Sequence, residues 1–261
     1  MTPLSIVVPA RDEERRLPLL LDLIGDGADE ILAHAGLELV ELIVVDDGST
    51  DGTADLVARR AEGDTRLRLV RLPRAAGKGA AVRAGMAAAT APWALLMDAD
   101  LATPLDQVAG LADALDAGFD IAIGSRGLDD SAIVIHQPRH RELAGKTFNR
   151  FVRIATGLAF RDTQCGFKLF RLATARPLFA RQTTDGFAFD VEILLRAAQR
   201  GLTVAEVPVR WADDRHTQVK FVRASARMAF DLVALALRLG RAGEEKLPDR
   251  ATPTTGLAKV G

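Results

Sequence analysis

An α/β fold, with a mostly parallel central sheet flanked by helices, is what this sequence predicts. Three observations carry the prediction. Short, nearly continuous apolar runs rich in β-branched residues alternate with helix-like segments through the first half, the pattern of strands buried on both faces. Several runs end in polar or acidic residues: Pro9, Asp46-Asp47 and Asp98-Ala99-Asp100. Ligands of open parallel sheets bind beyond such carboxyl ends. At 261 residues, 48% of them hydrophobic, the chain can also bury one substantial core.

The elements follow in order. Leu4 to Pro9 is a short apolar strand, and Glu13 to about Ile24 has helical periodicity with Pro18 near its first turn. Leu39 to Asp46 is the second strand, and Asp51 to Ala61 a helix capped by Ser49, Thr50 or Asp51. Leu67 to Leu72 is the third strand, Gly77 to Ala89 an alanine-rich helix, Trp93 to Asp98 the fourth strand and Phe119 to Gly124 the fifth. Ser125 to Arg141 reads as a long loop. Helices are predicted at Glu142 to Thr156, Leu172 to Ala180 and Asp190 to Arg200, a strand at Thr203 to Val209 and a long helix at Val219 to Arg241. The economical division is one domain over residues 1–216, an amphipathic helix over 217–241 and a frayed tail over 242–261.

Bulk properties narrow the function. The formal net charge is −1, so no basic field points to nucleic acid. One cysteine, Cys165, allows no disulfide within the chain and fits a reducing compartment. Met1-Thr2-Pro3 leads straight into a strand-like segment without the marks of a signal peptide. No apolar stretch reaches the roughly 18–20 residues of a spanning helix. The expectation is a cytoplasmic protein that is soluble or lies on a membrane surface.

The chemistry gathers at the strand ends. Asp98 and Asp100, one residue apart where a strand bends into a loop, can share Mg²⁺ or Mn²⁺, hard cations that keep phosphate oxygens in their shell. Alone, the pair fits a solvated turn equally well. Asp46 and Asp47 close a buried strand before a turn and a capped helix, and a carboxylate there can accept from a nucleobase N–H. Turn and cap account for Gly48 to Asp51 but do not require both acids. Gly77-Lys78-Gly79 opens a helix, where glycines admit close approach and the helix terminus and Lys78 favour anions. It is not a Walker A loop, because Gly79 stands where Ser or Thr should follow the lysine, and no Gly-x-Gly-x-x-Gly follows the first strand to take a nicotinamide cofactor.

Val7-Val8-Pro9-Ala10-Arg11-Asp12-Glu13-Glu14, the Asp46 to Thr53 segment, Gly77-Lys78-Gly79 and Asp98-Ala99-Asp100, taken in that order, resemble glycosyltransferase family 2. Asp12 stands where the family usually has asparagine. Four further segments, Asp98 to Pro104, Gly124-Ser125-Arg126, Asp162 to Lys168 and Glu206-Val207-Pro208-Val209-x-Trp211, are similar to dolichyl- and polyprenyl-phosphate β-glucosyltransferases. The likeness spans roughly residues 4 to 240 and implies the GT-A, Rossmann-like fold.

It further implies that Pro9, Ala10, Glu13 and Asp47, with Asp46, Gly77, Lys78 and Ala99 beside them, hold the donor nucleotide, and that Asp98 and Asp100 hold the metal and diphosphate. Ala102 stands where mannosyl-transferring relatives carry glutamine, which favours UDP-glucose over GDP-mannose. Ser125, Arg126, Arg139, Arg141 and Arg215 would grip an acceptor phosphate, each arginine having a solvated surface role as its alternative. Relatives carry Gly-Ser-Lys-Val after the last of these; this chain has His216-Thr217-Gln218-Val219. Asp162 and Asp190 are the candidates for a base, with helix capping the alternative for Asp190. Cys165 reads as a packed small residue.

From Thr217 to Arg241 five basic residues oppose Asp231, with Phe230, Leu232, Val233, Leu235 and Leu237 on the remaining face. Such a helix can lie in a membrane interface; packing on the catalytic domain or on a second subunit is the alternative. The expected reaction is hexose transfer, glucose foremost, to a polyprenyl phosphate with inversion. Transfer of mannose or an N-acetylhexosamine, a soluble acceptor, and a nucleotide-sugar binder without turnover are the competing readings.

Overall fold

The computed structural model describes residues 1–135, 139–212 and 221–239, with the side chains of 134, 135, 139–146, 148, 221–227 and 229 outside that description. Nine strands and nine α-helices form within it: β1 Thr2–Ala10, α1 Leu17–Asp26, α2 Ala28–His34, β2 Leu37–Asp46, α3 Thr53–Ala61, β3 Leu67–Arg71, α4 Lys78–Ala88, β4 Trp93–Leu96, α5 Val108–Asp116, β5 Ile121–Ser125, β6 Ala132–Ile135, α6 Arg139–Thr156, β7 Lys168–Arg171, α7 Leu172–Ala180, α8 Phe189–Gln199, β8 Val204–Pro208, β9 Arg210–Ala212 and α9 Phe221–Leu239.

Seven strands make the main sheet in the order β3-β2-β1-β4-β7-β5-β8, and β6 pairs with β9 in a small second sheet. All main-sheet pairings are parallel except those of β7, which runs antiparallel to both β4 and β5. The parallel strands therefore end at one edge, and the antiparallel β7 begins there. That reversal brings residues 162–167, which precede β7, to the same edge as the acidic strand ends.

Side-chain alternation along the strands divides the core. Ile6, Val8, Leu42 and Val44 face one apolar layer with α1, α2 and α5, while Val7, Ile43 and Val45 face a second with α4, α7, α8 and α9. α4 lies close on the sheet because Gly85 has no side chain: a Cβ there would come within 2.4 Å of Val7 Cγ1. Burying charge inside such a layer is costly unless it is fully paired. Glu41 on β2 meets that condition, accepting from Ser5 Oγ at 2.7 Å, Thr90 N at 2.5 Å and Thr90 Oγ1 at 2.7 Å, with Arg68 on its other oxygen.

The structure departs from the sequence expectation in particular places. α1 begins at Leu17 rather than Glu13, because residues 12–14 bond to the loop after β2 instead of to each other. The loop predicted for Ser125 to Arg141 contains β6 and the first turn of α6. β7, β9, α2 and α5 have no counterpart among the predicted elements. Leu232 and Leu235 of α9 are fully buried in the second layer, so the helix packs on the catalytic fold along that face. Residues 213–220 and 240–261, which include the whole predicted tail, lie outside the described residues.

Candidate active site

The loops after β1 and β2 are sewn together. Asp12, at φ 55°, donates its amide to Ser49 Oγ at 3.0 Å and accepts from the Thr50 amide at 2.8 Å; Glu13 donates its amide to Thr53 Oγ1 at 2.8 Å. Ala10 O takes the Asp47 amide at 2.9 Å, and Asp46 Oδ1 takes the Ser49 amide at 3.1 Å. Asp47, buried, accepts from the amides of Ala76 at 2.6 Å and Gly77 at 2.9 Å. Pro9, Ala10, Glu13, Asp46 and Asp47 are thus brought to one corner and tied to the start of α4.

That start explains its glycines differently from the sequence. The amides of Gly79 and Ala80 donate to Asp185 O at 2.8 and 3.2 Å, and a Cβ on Gly77 or Gly79 would come within 2.4 Å of Asp185 O or 2.5 Å of Thr184 O. The glycines admit the backbone of residues 184–186, and the amides of Gly77, Gly79 and Ala80 already have partners. Glu192, fully buried on α8, holds that segment by accepting from Thr183 N at 2.9 Å and Thr184 N at 2.7 Å. Lys78 is left as the anion-seeking feature, and its Nζ lies 2.6 Å from Asp98 Oδ1.

Asp98 and Asp100 follow the end of β4, separated by the buried Ala99. Burial and then the neighbouring Asp98 charge push the Asp100 carboxyl up. Burial also pushes Glu13 up against the pull of Arg16, with Asp100 and Asp98 adding to the rise. Two carboxylates one residue apart, one of them pushed up by the charge of the other, form a donor set that a hard divalent cation relieves. Among the described residues no group of three His, Cys, Asp or Glu side chains is placed to hold an ion. Two protein carboxylates plus phosphate oxygens from a substrate are a usual set for Mg²⁺, so the residues present fit such an ion.

Behind this pair lie two ion pairs whose carboxylates are buried. Lys168 Nζ donates to Asp190 Oδ1 at 2.6 Å and to Cys165 O at 2.5 Å. Arg126 meets Asp162 through Nε at 2.6 Å and Nη2 at 3.0 Å, and its guanidinium lies 5.3 Å from the Trp211 ring centroid. Glu206 fixes the loop that leads into β7, accepting the Asp162 amide at 2.8 Å. Ser125 is fully buried, its hydroxyl taking the Gly127 amide at 3.2 Å. Burial pushes the Cys165 thiol up, as suits a packing residue. Arg139 and Arg141 fall in the first turn of α6, but their side chains, and all of Arg215, lie outside the described residues. Gly166, Lys168, Glu192 and Trp211 are additions that single-residue reading did not select.

The Arg126–Asp162 pair makes a pH prediction. Burial alone would raise the Asp162 carboxyl; the Arg126 charge and hydrogen bonds outweigh it and hold the group at about 2. Its unfolded value is about 3.9. A depressed pKa contributes stability that is present above about pH 4 and is lost as pH falls through about 2, on the order of 2–3 kcal/mol. Asp162→Asn should be less stable at pH 7, and in urea titrations its deficit should shrink between pH 5 and 2. A constant deficit across that window would refute the linkage.

The model of the family described as "Glycosyl transferase family 2" matches residues 5–175. A dolichyl-phosphate beta-glucosyltransferase of Trichomonas vaginalis is 35% identical over 252 residues, covering 95% of this chain and 74% of that protein. One from Dictyostelium discoideum is 35% identical over 245 residues, covering 90% and 74%. One from Saccharomyces cerevisiae is 31% identical over 251 residues, covering 90% and 74%. Among solved structures, Mycobacterium tuberculosis glucosyl-3-phosphoglycerate synthase, crystallised with Mn²⁺, UDP and glucosyl-3-phosphoglycerate, superposes with a TM-score of 0.65 at 21% identity, covering 93% of this chain and 82% of that chain. At that identity the superposition speaks for the shared fold.

Proposed function

The chain belongs to glycosyltransferase family 2, and from that premise we propose that it transfers glucose from UDP-glucose to a dolichyl or polyprenyl phosphate with inversion at the sugar C1. The observation that carries the acceptor class is the state of the two candidate bases. Asp162 is committed to Arg126 and Asp190 to Lys168, and both carboxylates are buried. A sugar hydroxyl needs a free carboxylate to take its proton. A phosphate monoester, with a second pKa near ~6, arrives already anionic. Two paired carboxylates suit an acceptor that needs orientation rather than deprotonation. The names of the relatives point the same way.

In this reading one lipid phosphate oxygen attacks C1 as the bond from C1 to the UDP oxygen breaks, and UDP leaves with the electron pair. A single displacement turns an α-linked donor into a β-linked product. Pro9, Ala10, Glu13, Asp46 and Asp47 form the nucleoside corner, with Gly77, Lys78 and Ala99 beside it. Asp98 and Asp100 would hold Mg²⁺ or Mn²⁺, which when bound neutralises charge on the departing diphosphate. Asp162 orients Arg126, whose Nη1 has no partner among the described residues and is available to the acceptor phosphate; Ser125, Arg139, Arg141 and Arg215 complete that group. Asp190 keeps its place beside Lys78 and Asp98 through Lys168.

The lipid acceptor calls for a membrane surface. Phe230, Val233 and Leu237 of α9 are 73%, 46% and 81% exposed on one helical face. Among the described residues no helix is long and apolar enough to cross a membrane. We assign this face to peripheral contact with the cytoplasmic leaflet; a second copy of the chain is the alternative cover. The test of the whole reading is transfer of labelled glucose from UDP-glucose to polyprenyl phosphate with Mg²⁺ or Mn²⁺. Asp100→Ala should lower the rate by about 1,000-fold or more, as losing a central electrostatic stabiliser does. Transfer that proceeds equally well to a soluble alcohol would sink the lipid assignment, and transfer that survives Asp100→Ala would sink the role of the acid pair.

A further inference from the structure

Lys78 has a fixed base and a movable tip. Its backbone opens α4 between two clamps: Asp47 accepts the amides of Ala76 and Gly77, and Asp185 O accepts those of Gly79 and Ala80. The helix start therefore cannot slide. The side chain is different: Lys78 is 20% and Asp98 36% exposed, so solutes can reach the 2.6 Å contact between them. Around that contact stand four carboxylates, Glu13, Asp98, Asp100 and Asp190, and three cations, Arg16, Lys78 and Lys168. Among the described residues these seven groups sum to one net negative charge. Without Lys78 they would sum to two, the charge that a divalent cation matches.

An ammonium already bonded to Asp98 competes with any cation for that oxygen. A diphosphate changes the competition, because it offers the lysine tip another anion and supplies oxygens that a hard cation prefers. We infer that Lys78 is the resident counter-ion of the Asp98/Asp100 pair and releases Asp98 to a divalent cation only when a nucleoside diphosphate arrives to receive its ammonium. This rests on the donor reading above and adds an order to it: cation and nucleotide are taken up together, and the bare ion is bound weakly. Lys78 thereby guards the acid pair against idle metal as well as serving the diphosphate.

The test uses Mn²⁺ alone and UDP with Mn²⁺ as probes, with binding to the intact chain followed by calorimetry and by the electron spin signal of free Mn²⁺. Lys78→Met should bind Mn²⁺ without nucleotide at least about tenfold more tightly than the parent, and UDP in the presence of Mn²⁺ at least about tenfold more weakly. A variant that merely loosens the site would weaken both. Lys78→Arg, which keeps the charge, should retain the parent's weak affinity for Mn²⁺ alone. Asp100→Asn added to Lys78→Met should remove the gain, which would place the ion at the pair. The parent supplies a measurement independent of any variant: its Mn²⁺ affinity should rise at least about tenfold when UDP is added. The inference is overturned if the parent binds Mn²⁺ without UDP as tightly as Lys78→Met does. If the parent binds neither UDP nor Mn²⁺ under any condition, the donor reading itself falls and takes this inference with it.

Discussion

Gly166→Ala is expected to leave a folded protein that has lost about 100-fold or more of its transfer rate. A Cβ at this position would lie 2.0 Å from Asp98 Oδ2 and 2.5 Å from its Cγ. One of the two groups must move. The turn carrying Gly166 is held from both sides, by Lys168 Nζ on Cys165 O at 2.5 Å and by the Gly124 amide on Phe167 O at 2.8 Å. The Asp98 backbone follows a central strand whose next residue, Met97, donates to Val7 O at 3.1 Å. The Asp98 carboxylate is the part free to swing, so the strain is relieved there. Swinging breaks its 2.6 Å contact with Lys78 and turns it away from its setting beside Asp100. Misplacing a reacting or coordinating group by about 1 Å can cost about 100-fold. The stability cost should be near ~1 kcal/mol, because a partly exposed side chain absorbs the change. Gly25→Ala, where nothing lies within 4 Å of the added Cβ, is the control and should be close to neutral. Initial rates beside thermal melts decide the matter: a folded Gly166→Ala enzyme of normal rate would show that Asp98 need not stand where it does.

The strand ends were legible because parallel strands buried on both faces must be continuous apolar runs, and those runs stop at the site. Asp46, Asp47, Asp98 and Asp100 could be placed at one edge from that pattern alone. β7 was not legible. It is four residues long, bears charge at both ends, and owes its central position to strands far away in sequence. A lysine in a central strand reads as surface until its partner is known. That partner, Asp190, lies 22 residues on, and the Asp162 partner of Arg126 lies 36 residues away. Pairings over such distances are products of the fold and leave no local periodicity. α5 is a different case: Val108, Leu111, Ala112 and Leu115 have the helical spacing and all are buried, so the signal was present though no helix was predicted there. At Gly77 and Gly79 the need for close approach was legible and its object was not, since backbone from residues 184–186 and a phosphate make the same demand on a glycine.

Lys168→Met should destabilise the protein by about 3–5 kcal/mol, the usual result of stripping one partner from a buried ion pair. The cause is the carboxylate left behind more than the bond lost. Lys168 is 2% and Asp190 5% exposed, and their contact is 2.6 Å. Burial already pushes the Asp190 carboxyl up, with Lys168 first and then Lys78 pulling it back. Removing Lys168 leaves Lys78 as the other cation that acts on Asp190, one that Asp98 also claims. Asp190 then takes up a proton or draws Lys78 away, and either outcome disturbs the acid pair as well as the fold. Lys168→Met with Asp190→Leu separates the two effects. Replacing both partners by apolar residues of similar volume removes the stranded charge, so most of the lost stability should return. Activity should not return with it, because the first turn of α8 would no longer present a carboxylate beside Lys78, and the Cys165 carbonyl that holds the turn before Gly166 would have lost its donor. Urea unfolding and UDP binding, measured on the parent, the single variant and the double variant, read stability and site order separately. Recovery of both in the double variant would reduce the pair to packing, and recovery of neither would mean that Lys168 holds the fold through Cys165 rather than through Asp190.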